Sequence, residues 1–189
     1  MNTETLSIGV LPIGELPQSA LENIAAHIRT HLDLKADILP PLKKPAYAYD
    51  ERRDQYNAAV ILKSLDAISF GDHVKVIGIL NVDLFVPIFT HVLGEAREGG
   101  TYALASLYRL RKDQDGSITD IGLILERLAK VAIHEIGHAF NLGHCMNEKC
   151  LMHFSGGLKG LDAIEFKFCS YCSAFMVEAK KHYQKPIPG

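Results

Sequence analysis

A histidine-rich segment holds the residues with the clearest chemical potential. His134 and His138 lie four residues apart, and Glu135 directly follows the first of them. On a helix, residues four apart share a face and lie about 6 Å apart along the axis, so both imidazoles can reach one metal ion. Zinc binds imidazole nitrogen well, and a glutamate beside the first ligand can reach water at the metal without binding the metal itself. The segment therefore predicts a zinc site with Glu135 as general base.

A third ligand is available beyond the end of this helix. His144 follows His138 by six residues, and residues 141–143 include types that tolerate a left-handed helix terminus. A chain reversal there would return His144 to the same ion and leave a fourth position open for water. Ordinary core or surface histidines are the alternative, but a third histidine after a turn residue argues against coincidence. The pattern is typical of a catalytic zinc site.

All four cysteines of the chain lie between positions 145 and 172, as the pairs Cys145 with Cys150 and Cys169 with Cys172. This spacing suits a closed, four-thiolate zinc site, which would supply folding free energy to a C-terminal lobe that has little apolar core. Two disulfides or four free buried thiols are the alternatives, but reduced cytosolic thiols favour metal. Because Cys145 directly follows His144, loosening the cysteine site is expected to displace the third histidine.

These motifs resemble those of the archaemetzincins, a family of metzincin metallopeptidases. The metzincin pattern is HExxH with a third histidine six residues later and a methionine turn further on. The archaemetzincins add a cysteine directly after the third histidine and three further cysteines. Here the methionine is Met152, two residues after Cys150. Asn141 replaces the family's turn glycine, but asparagine is the next most tolerated residue at positive φ, so the turn is expected to survive.

The resemblance implies a fold and a set of roles. The fold class would be α/β (α+β) and metzincin-like, with a mixed, mostly parallel twisted sheet, packed helices, a long active-site helix and a small zinc-bound C-terminal lobe. Residues 1–189 would form a single catalytic domain, with an upper lobe of about 1–141 and a lower lobe of about 142–189. Met152 would form the hydrophobic floor of the active site. Two zinc ions would be bound, a catalytic one by His134, His138 and His144 and a structural one by Cys145, Cys150, Cys169 and Cys172.

Hydrophobic periodicity independently predicts an α/β arrangement in the first two thirds of the chain. Strands are predicted at residues 6–12, 36–39, 74–80, 86–92 and 102–110, and helices at 17–32 and 50–65. Pro87 favours an edge position for the 86–92 strand, and residues 94–100 are predicted to form a turn. Ser117 and Asp120 make an S-x-x-D capping signal before the long histidine-bearing helix. A last helix is predicted from about 161 to 181.

Charge and N-terminal sequence exclude several classes of protein. The chain of 189 residues has a net charge of −2 and only isolated basic pairs, which argues against a nucleic-acid binder. Residues 1–14 lack the basic start and cleavage site of a secretory signal. Residues 74–86 are too short and too polar to span a membrane. We therefore expect a cytoplasmic monomer that binds neither nucleic acid nor membrane.

The leading interpretation is a zinc-dependent metallopeptidase acting on a peptide or protein substrate. The resemblance to the metzincins implies that the substrate lies along an edge strand above the zinc, and residues 86–94 are the candidate for that strand. A catalytically weak or inactive zinc-stabilised peptide-binding or protein-binding protein on the same fold is the alternative, although metal binding alone does not require Glu135. A nucleic-acid module built on the cysteines is disfavoured by the acidic balance and the scarcity of basic residues among them.

Overall fold

A five-stranded sheet with helices on both faces organises the chain. The computed structural model describes residues 6–111 and 117–183. The strands are β1 (Ser7–Pro12), β2 (Lys35–Ile38), β3 (Tyr49–Asp50), β4 (Gln55–Asn57), β5 (Lys75–Leu80), β6 (Leu84–Phe85), β7 (Gly94–Ala96) and β8 (Tyr102–Ser106). The helices are α1 (Gln18–Leu32), α2 (Ala58–Leu65), α3 (Ile121–Ala139), α4 (Leu158–Ala163) and α5 (Ser170–Lys181), with 3-10 turns at Ala46–Ala48 and Tyr108–Arg111.

The main sheet has the strand order β2-β1-β5-β8-β7. The first four of these strands are mutually parallel, whereas β7 runs antiparallel to β8 at the edge. A second, three-stranded sheet has the order β3-β4-β6. The expected α/β class with a mixed, mostly parallel sheet is confirmed.

Both faces of the main sheet are buried. Ile77 and Ile79 of β5 belong to the core shared with α1 and α3, whereas Val76 and Leu80 belong to the core shared with α2. Alternate residues of a strand point to opposite faces, so a strand covered on both sides needs a continuous apolar run. α3 packs against β8 and β7, which places its C-terminal end beside the sheet edge.

The segment over residues 50–65 is only half helical. α2 begins at Ala58, and strands β3 and β4 precede it. The Oδ1 of Asn57 accepts a hydrogen bond from the N–H of Val60 at 3.3 Å and caps the helix, as asparagine commonly does. The prediction of a helix from residue 50 is therefore wrong in its first half. The reason is that β4 pairs with β6, a distant partner that no local periodicity reveals.

The edge strand lies later in the chain than predicted. Residues 86–92 form turns and one isolated bridge, between Val92 and Leu84. The edge strand is instead β7, which begins at Gly94, inside the predicted turn. β7 has only three residues, and its strand conformation depends on pairing with β8 rather than on its own sequence.

Two helix boundaries also differ from prediction. The cap of α3 is Asp120, whose carboxylate accepts a hydrogen bond from the N–H of Gly122 at 2.8 Å, so Ser117 is not the cap that the S-x-x-D pattern indicated. The predicted last helix is two helices, α4 and α5, because residues 164–169 leave helical conformation on the way to Cys169.

Within the described ranges, 6–111 and 117–183, every helix is too short or too polar to cross a membrane.

Candidate active site

Three histidines converge at the end of α3. Their ligand nitrogens, one each from His134, His138 and His144, lie within 4.8 Å of one another. The Nε2 atoms of His134 and His138, one helical turn apart, are 3.0 Å from each other. The ring centroid of His144 lies 5.3 Å from that of His134 and 4.7 Å from that of His138. The structure thus brings the three predicted ligands together.

Backbone carbonyls fix two of the rings and prepare the cluster for a cation. The Nδ1 of His134 lies 2.8 Å from the oxygen of Leu151, and that of His138 lies 2.7 Å from the oxygen of Leu142. Because a carbonyl only accepts, each Nδ1 donates, which in the neutral tautomer leaves Nε2 as the metal-binding nitrogen. Burial, and next the neighbouring His138, lower the pKa of His134 to about 3, which keeps that ring neutral.

The two facing Nε2 atoms are the clearest test of whether zinc fits. Two nitrogen lone pairs 3.0 Å apart repel each other unless a cation lies between them. Zinc–nitrogen distances of about 2.0–2.1 Å in a tetrahedral site put neighbouring ligand nitrogens roughly 3.4 Å apart, close to the observed separation. The donor set of three imidazoles leaves one tetrahedral position for another ligand. The histidine cluster therefore fits a zinc ion of the catalytic type.

The chain reversal that returns His144 to the cluster is centred on Asn141. Its φ is +69°, the left-handed conformation predicted for this position. Its N–H donates to the oxygen of His138 at 2.8 Å, and the N–H of Leu142 donates to the oxygen of Gly137 at 3.0 Å. These bonds satisfy the last carbonyls of the helix. The predicted turn is therefore confirmed, with asparagine in place of glycine.

Glu135 directly follows His134 on α3, and its side chain is buried. It is only 9% exposed, and burial, with a second contribution from Glu95, raises its pKa well above the usual range. Glu95 belongs to β7, and burial raises the pKa of that carboxyl as well. A carboxylate whose pKa is raised by its surroundings is a stronger base than one in water, which is what a general base near neutral pH requires.

The close approach of β7 to α3 depends on Gly94. A β-carbon at this position would lie 2.6 Å from the Cγ of Glu135 and 2.7 Å from the oxygen of Leu104. The second neighbour is backbone within the sheet and cannot move aside cheaply. Gly94 therefore lets the edge strand pass directly over the glutamate.

Met152 packs against α3 between the two helical histidines. Its side chain is completely buried, and a β-carbon on Gly137 would overlap its sulfur. The Met152 oxygen accepts a hydrogen bond from the N–H of Cys145 at 2.8 Å. Met152 thus contacts the histidine-bearing helix through its side chain and the cysteine segment through its backbone.

The four cysteines form a second cluster. Their sulfurs lie within 4.8 Å of one another, and none is disulfide-bonded. The Sγ of Cys150 accepts N–H hydrogen bonds from Cys169 at 3.3 Å and from Met152 at 3.5 Å. Such donors favour the thiolate, the form that binds metal. The structure therefore brings together all four cysteines predicted as ligands.

The thiols of this cluster differ in acidity. A hydrogen bond from the backbone of Cys172 lowers the pKa of Cys169 to about 7, against the effect of burial. Burial raises the pKa of Cys150 and of Cys172. A cation among the sulfurs would favour the thiolate form of all four, and a closed set of four sulfurs suits tetrahedral zinc without an open position.

A cleft of about 450 Å³ opens above the histidine cluster. Its lining includes the three histidines and Glu135, whereas the cysteine sulfurs do not contribute to it. Sequence reasoning missed three further lining residues: Glu95, Lys130 and His153. His153 had no ligand context in the sequence, and its Nδ1 lies 2.9 Å from the oxygen of Cys145. Only the meeting of β7, α3 and the segment before α4 brings these side chains together.

A mostly parallel sheet, a long helix ending in three convergent histidines and a separate four-cysteine cluster are the features of a zinc metallopeptidase. Comparison with known proteins identifies the family. The sequence model of peptidase family M54 matches residues 21–178, and the chain belongs to this family. Archaemetzincin from Methanocaldococcus jannaschii is 34% identical over 167 residues, 88% of this chain and 90% of that protein. Archaemetzincin from Pyrococcus furiosus is 36% identical over 170 residues, 86% of this chain and 88% of that protein.

Solved structures agree with this assignment. Archaemetzincin from Methanopyrus kandleri superposes with a TM-score of 0.82 at 31% identity, covering 94% of this chain and 96% of that chain. Archaemetzincin from Archaeoglobus fulgidus, complexed with malonate, gives a TM-score of 0.78 at 29% identity and covers 90% and 99%. The resemblance to the archaemetzincins is confirmed, and the chain is a zinc metallopeptidase whose substrates are peptides or proteins.

Proposed function

We propose that the chain hydrolyses peptide bonds at the histidine cluster, with zinc held by His134, His138 and His144 and with Glu135 as general base. The observation that carries the proposal is the pair of facing Nε2 atoms 3.0 Å apart, next to a buried carboxylate. Metal binding alone has no need of that carboxylate. A buried glutamate beside a three-histidine cluster is expected where water must be activated.

Zinc, when bound, supplies a Lewis acid that polarises the scissile carbonyl and makes water more acidic. Glu135 accepts a proton from the attacking water and holds it on its carboxyl group. The same carboxyl group then donates the proton to the nitrogen of the departing amine. Burial of Glu135 supports both steps, because its raised pKa lies nearer to neutral pH than that of an exposed glutamate.

The substrate is proposed to lie along β7 rather than along the earlier candidate of residues 86–94. β7 is the last strand in the order of the main sheet and pairs with β8 on one side. An extended peptide can add to such an edge through main-chain hydrogen bonds. Gly94 keeps this edge directly over Glu135, so a peptide there would present its carbonyl to the base and the metal together.

The cysteine cluster is proposed to hold a second, structural zinc, which gives two zinc ions in all. A closed set of four sulfurs away from the cleft supports this role. Met152 is proposed as the hydrophobic floor of a metzincin active site, because its buried side chain packs against Gly137 in the turn between the helical histidines.

The domain organisation, the cellular compartment and the oligomeric state are also proposals. We infer a single catalytic domain over residues 1–189, with lobes of about 1–141 and 142–189, that acts as a cytoplasmic monomer without nucleic-acid or membrane partners. The weak negative charge argues against nucleic-acid partners, and four cysteines without a disulfide fit a reducing compartment. Sedimentation analysis and cell fractionation test it directly.

The function is tested by incubating the zinc-loaded protein with a mixed-sequence peptide library and identifying products by mass spectrometry. Glu135→Gln keeps the size of the side chain but removes the base, so cleavage should fall by at least about 100-fold. Glu98→Gln is the matched control, because Glu98 also lines the cleft but is exposed. Cleavage in the control should match wild type.

Two outcomes would contradict the proposal. Equal cleavage by wild type and Glu135→Gln would exclude Glu135 as the base. Binding of peptides without any cleavage by the wild type would instead favour the alternative, a zinc-stabilised peptide-binding protein on the same fold.

A further inference from the structure

Lys130 is a buried cation in the wall of the active-site cleft. Its side chain is only 4% exposed, yet the residue lines the cleft together with the histidines. The proposed hydrolysis does not use it. A buried charge is costly unless polar partners compensate it, so the contacts of the Lys130 ammonium indicate its role.

The partners of this ammonium leave it capacity for another acceptor. The Nζ of Lys130 lies 2.9 Å from the Oε1 of Glu126, a carboxylate that is 49% exposed and therefore largely solvated. It also lies 3.3 Å from the oxygen of Leu161, at the long end of hydrogen-bond geometry. An ammonium has three donors, and these two partners account for two of them.

Lys130 is not needed to fasten α4 to α3, because Arg127 already does so. The guanidinium of Arg127 donates to both carboxylate oxygens of Asp162, at 2.7 Å and 2.6 Å. Arg127 is 2% exposed, whereas the side chain of Asp162 is 34% exposed, so the contact is shielded from water on the arginine side and has the geometry of a strong, two-bond ion pair. The weaker contacts of Lys130 add little to that attachment.

The position of Lys130 along α3 places it one helical turn before the histidine cluster, a distance that about two residues of an extended peptide would span. It precedes His134 by four residues, so it lies on the same helix face about 6 Å further along the axis. An extended peptide advances about 3.3 Å per residue. Leu161, whose oxygen lies 3.3 Å from the Nζ, also lines the cleft, as does Ile164. A carboxylate about two residues from the scissile bond can therefore come within reach of the ammonium.

We propose that Lys130 binds a carboxylate of the substrate and so sets the specificity of cleavage. The carboxylate belongs either to an acidic side chain about two residues from the scissile bond or to a free C-terminus at a similar distance. Both present the same chemistry to the ammonium. The inference rests on the proposed peptidase function, and it adds the class of substrate that the cleft selects.

Cleavage profiling separates the two sources of the carboxylate. One peptide series varies the residues that flank the scissile bond, and a second compares free C-terminal acids with the corresponding amides. An internal preference for Asp or Glu over Asn or Gln identifies the side chain as the ligand, whereas a preference for acids over amides identifies the terminus. The absence of both preferences in a cleaving enzyme would overturn the proposal.

Three variants test whether Lys130 is responsible. Lys130→Met keeps the length and removes the charge, and the preference for the carboxylate should fall ~10- to 100-fold, mainly through KM. Lys130→Arg should retain most of it. Lys159→Met on the exposed face of α4 is the matched control and should behave as wild type. Glu126→Gln removes a competing carboxylate, so it should strengthen the preference; a merely structural Lys130 would leave it unchanged.

A binding measurement keeps the proposal testable if the chain does not cleave peptides. Zinc-loaded Glu135→Gln is titrated with fluorescent peptides that carry either the carboxylate or its amide, and fluorescence anisotropy gives Kd. Tighter binding of the carboxylate, lost when Lys130→Met is added, supports the proposal even if hydrolysis fails. Equal binding of both peptides by the two proteins would overturn it and leave the peptidase proposal standing.

Discussion

The histidine and cysteine clusters lie in one stretch of chain but differ in construction. The histidine cluster takes two members from one helix face and opens on a cleft. The cysteine cluster takes its members from turns and from the first turns of α5, and its sulfurs lie away from that cleft. The first leaves room for a substrate, whereas the second is closed. This difference supports the proposal that the histidine cluster is a catalytic metal site and the cysteine cluster a structural one.

The cysteine-bearing segment positions the histidine cluster more than the histidine cluster positions the cysteines. The Leu151 oxygen, from the cysteine-bearing segment, accepts the hydrogen bond that orients His134. The Met152 oxygen holds Cys145, the residue that follows His144. Helix α3, by contrast, has its own packing against the sheet. Loss of the cysteine site should therefore disturb the histidine site more than the reverse.

The largest effect is expected from Cys172→Ser. Cys172 is buried, and a structural zinc contributes directly to folding free energy, so we expect a destabilisation on the order of 5 kcal/mol or more. The variant should lose the cysteine zinc and bind the histidine zinc more weakly. Metal analysis and thermal unfolding measure both.

The control for that variant is Met146→Ser, in the same segment but 93% exposed, which should unfold like wild type. If the Cys172→Ser protein keeps two tightly bound zinc ions and full stability, the cysteine cluster does not stabilise the fold or the histidine site.

A smaller effect, confined to the histidine side, is expected from Gly94→Ala. The new methyl group would meet the Cγ of Glu135 at 2.6 Å and the Leu104 oxygen at 2.7 Å, so β7 must move away from α3, at a cost of about 1–3 kcal/mol. Peptide cleavage should fall, because the edge strand no longer lies over Glu135. Zinc content should remain unchanged.

Gly143→Ala is the matched control, since a β-carbon there meets nothing within 4 Å. If Gly94→Ala cleaves peptides and unfolds like this control, the close approach of β7 has no role in activity.

The smallest effect concerns a contact between α1 and the segment before the last cysteines. His27 and His31 each stack on Phe166 with ring centroids 4.3 Å apart. Burial lowers the pKa of both, and His31 further lowers that of His27. The unfolded chain therefore takes up protons that the folded chain resists, so this contribution is present above pH 6.5 and is lost as pH falls below it.

Chemical unfolding between pH 7.5 and pH 5 measures that loss. The comparison is with a variant carrying His27→Gln and His31→Gln, which should show a shallower decline. Identical pH profiles for the two proteins would contradict the assignment.

The candidate ligands were predictable because their spacing is local. Two histidines one helical turn apart share a face in any helix, and Asn141 marked the turn that returns His144. The alternating apolar runs likewise predicted the main sheet, because a strand buried on both faces needs such a run.

The remaining features depend on contacts between distant segments. β7 is three residues long, and it forms by pairing with β8. The residues before α2 form a strand because they pair with β6. Nothing in the local sequence distinguishes Lys130 from other helix residues, because its place in the cleft depends on α4, which also lines the cleft. Periodicity reports which face of an element is buried, but it does not report what buries it.

Zinc content tests the central claim most directly, that the two clusters are separate metal sites of different kinds. We predict two zinc ions per native chain by mass spectrometry of the folded protein, and one in His138→Ala, with the remaining ion resistant to mild chelation. Two retained ions in His138→Ala, or the loss of both from a folded variant, would contradict it.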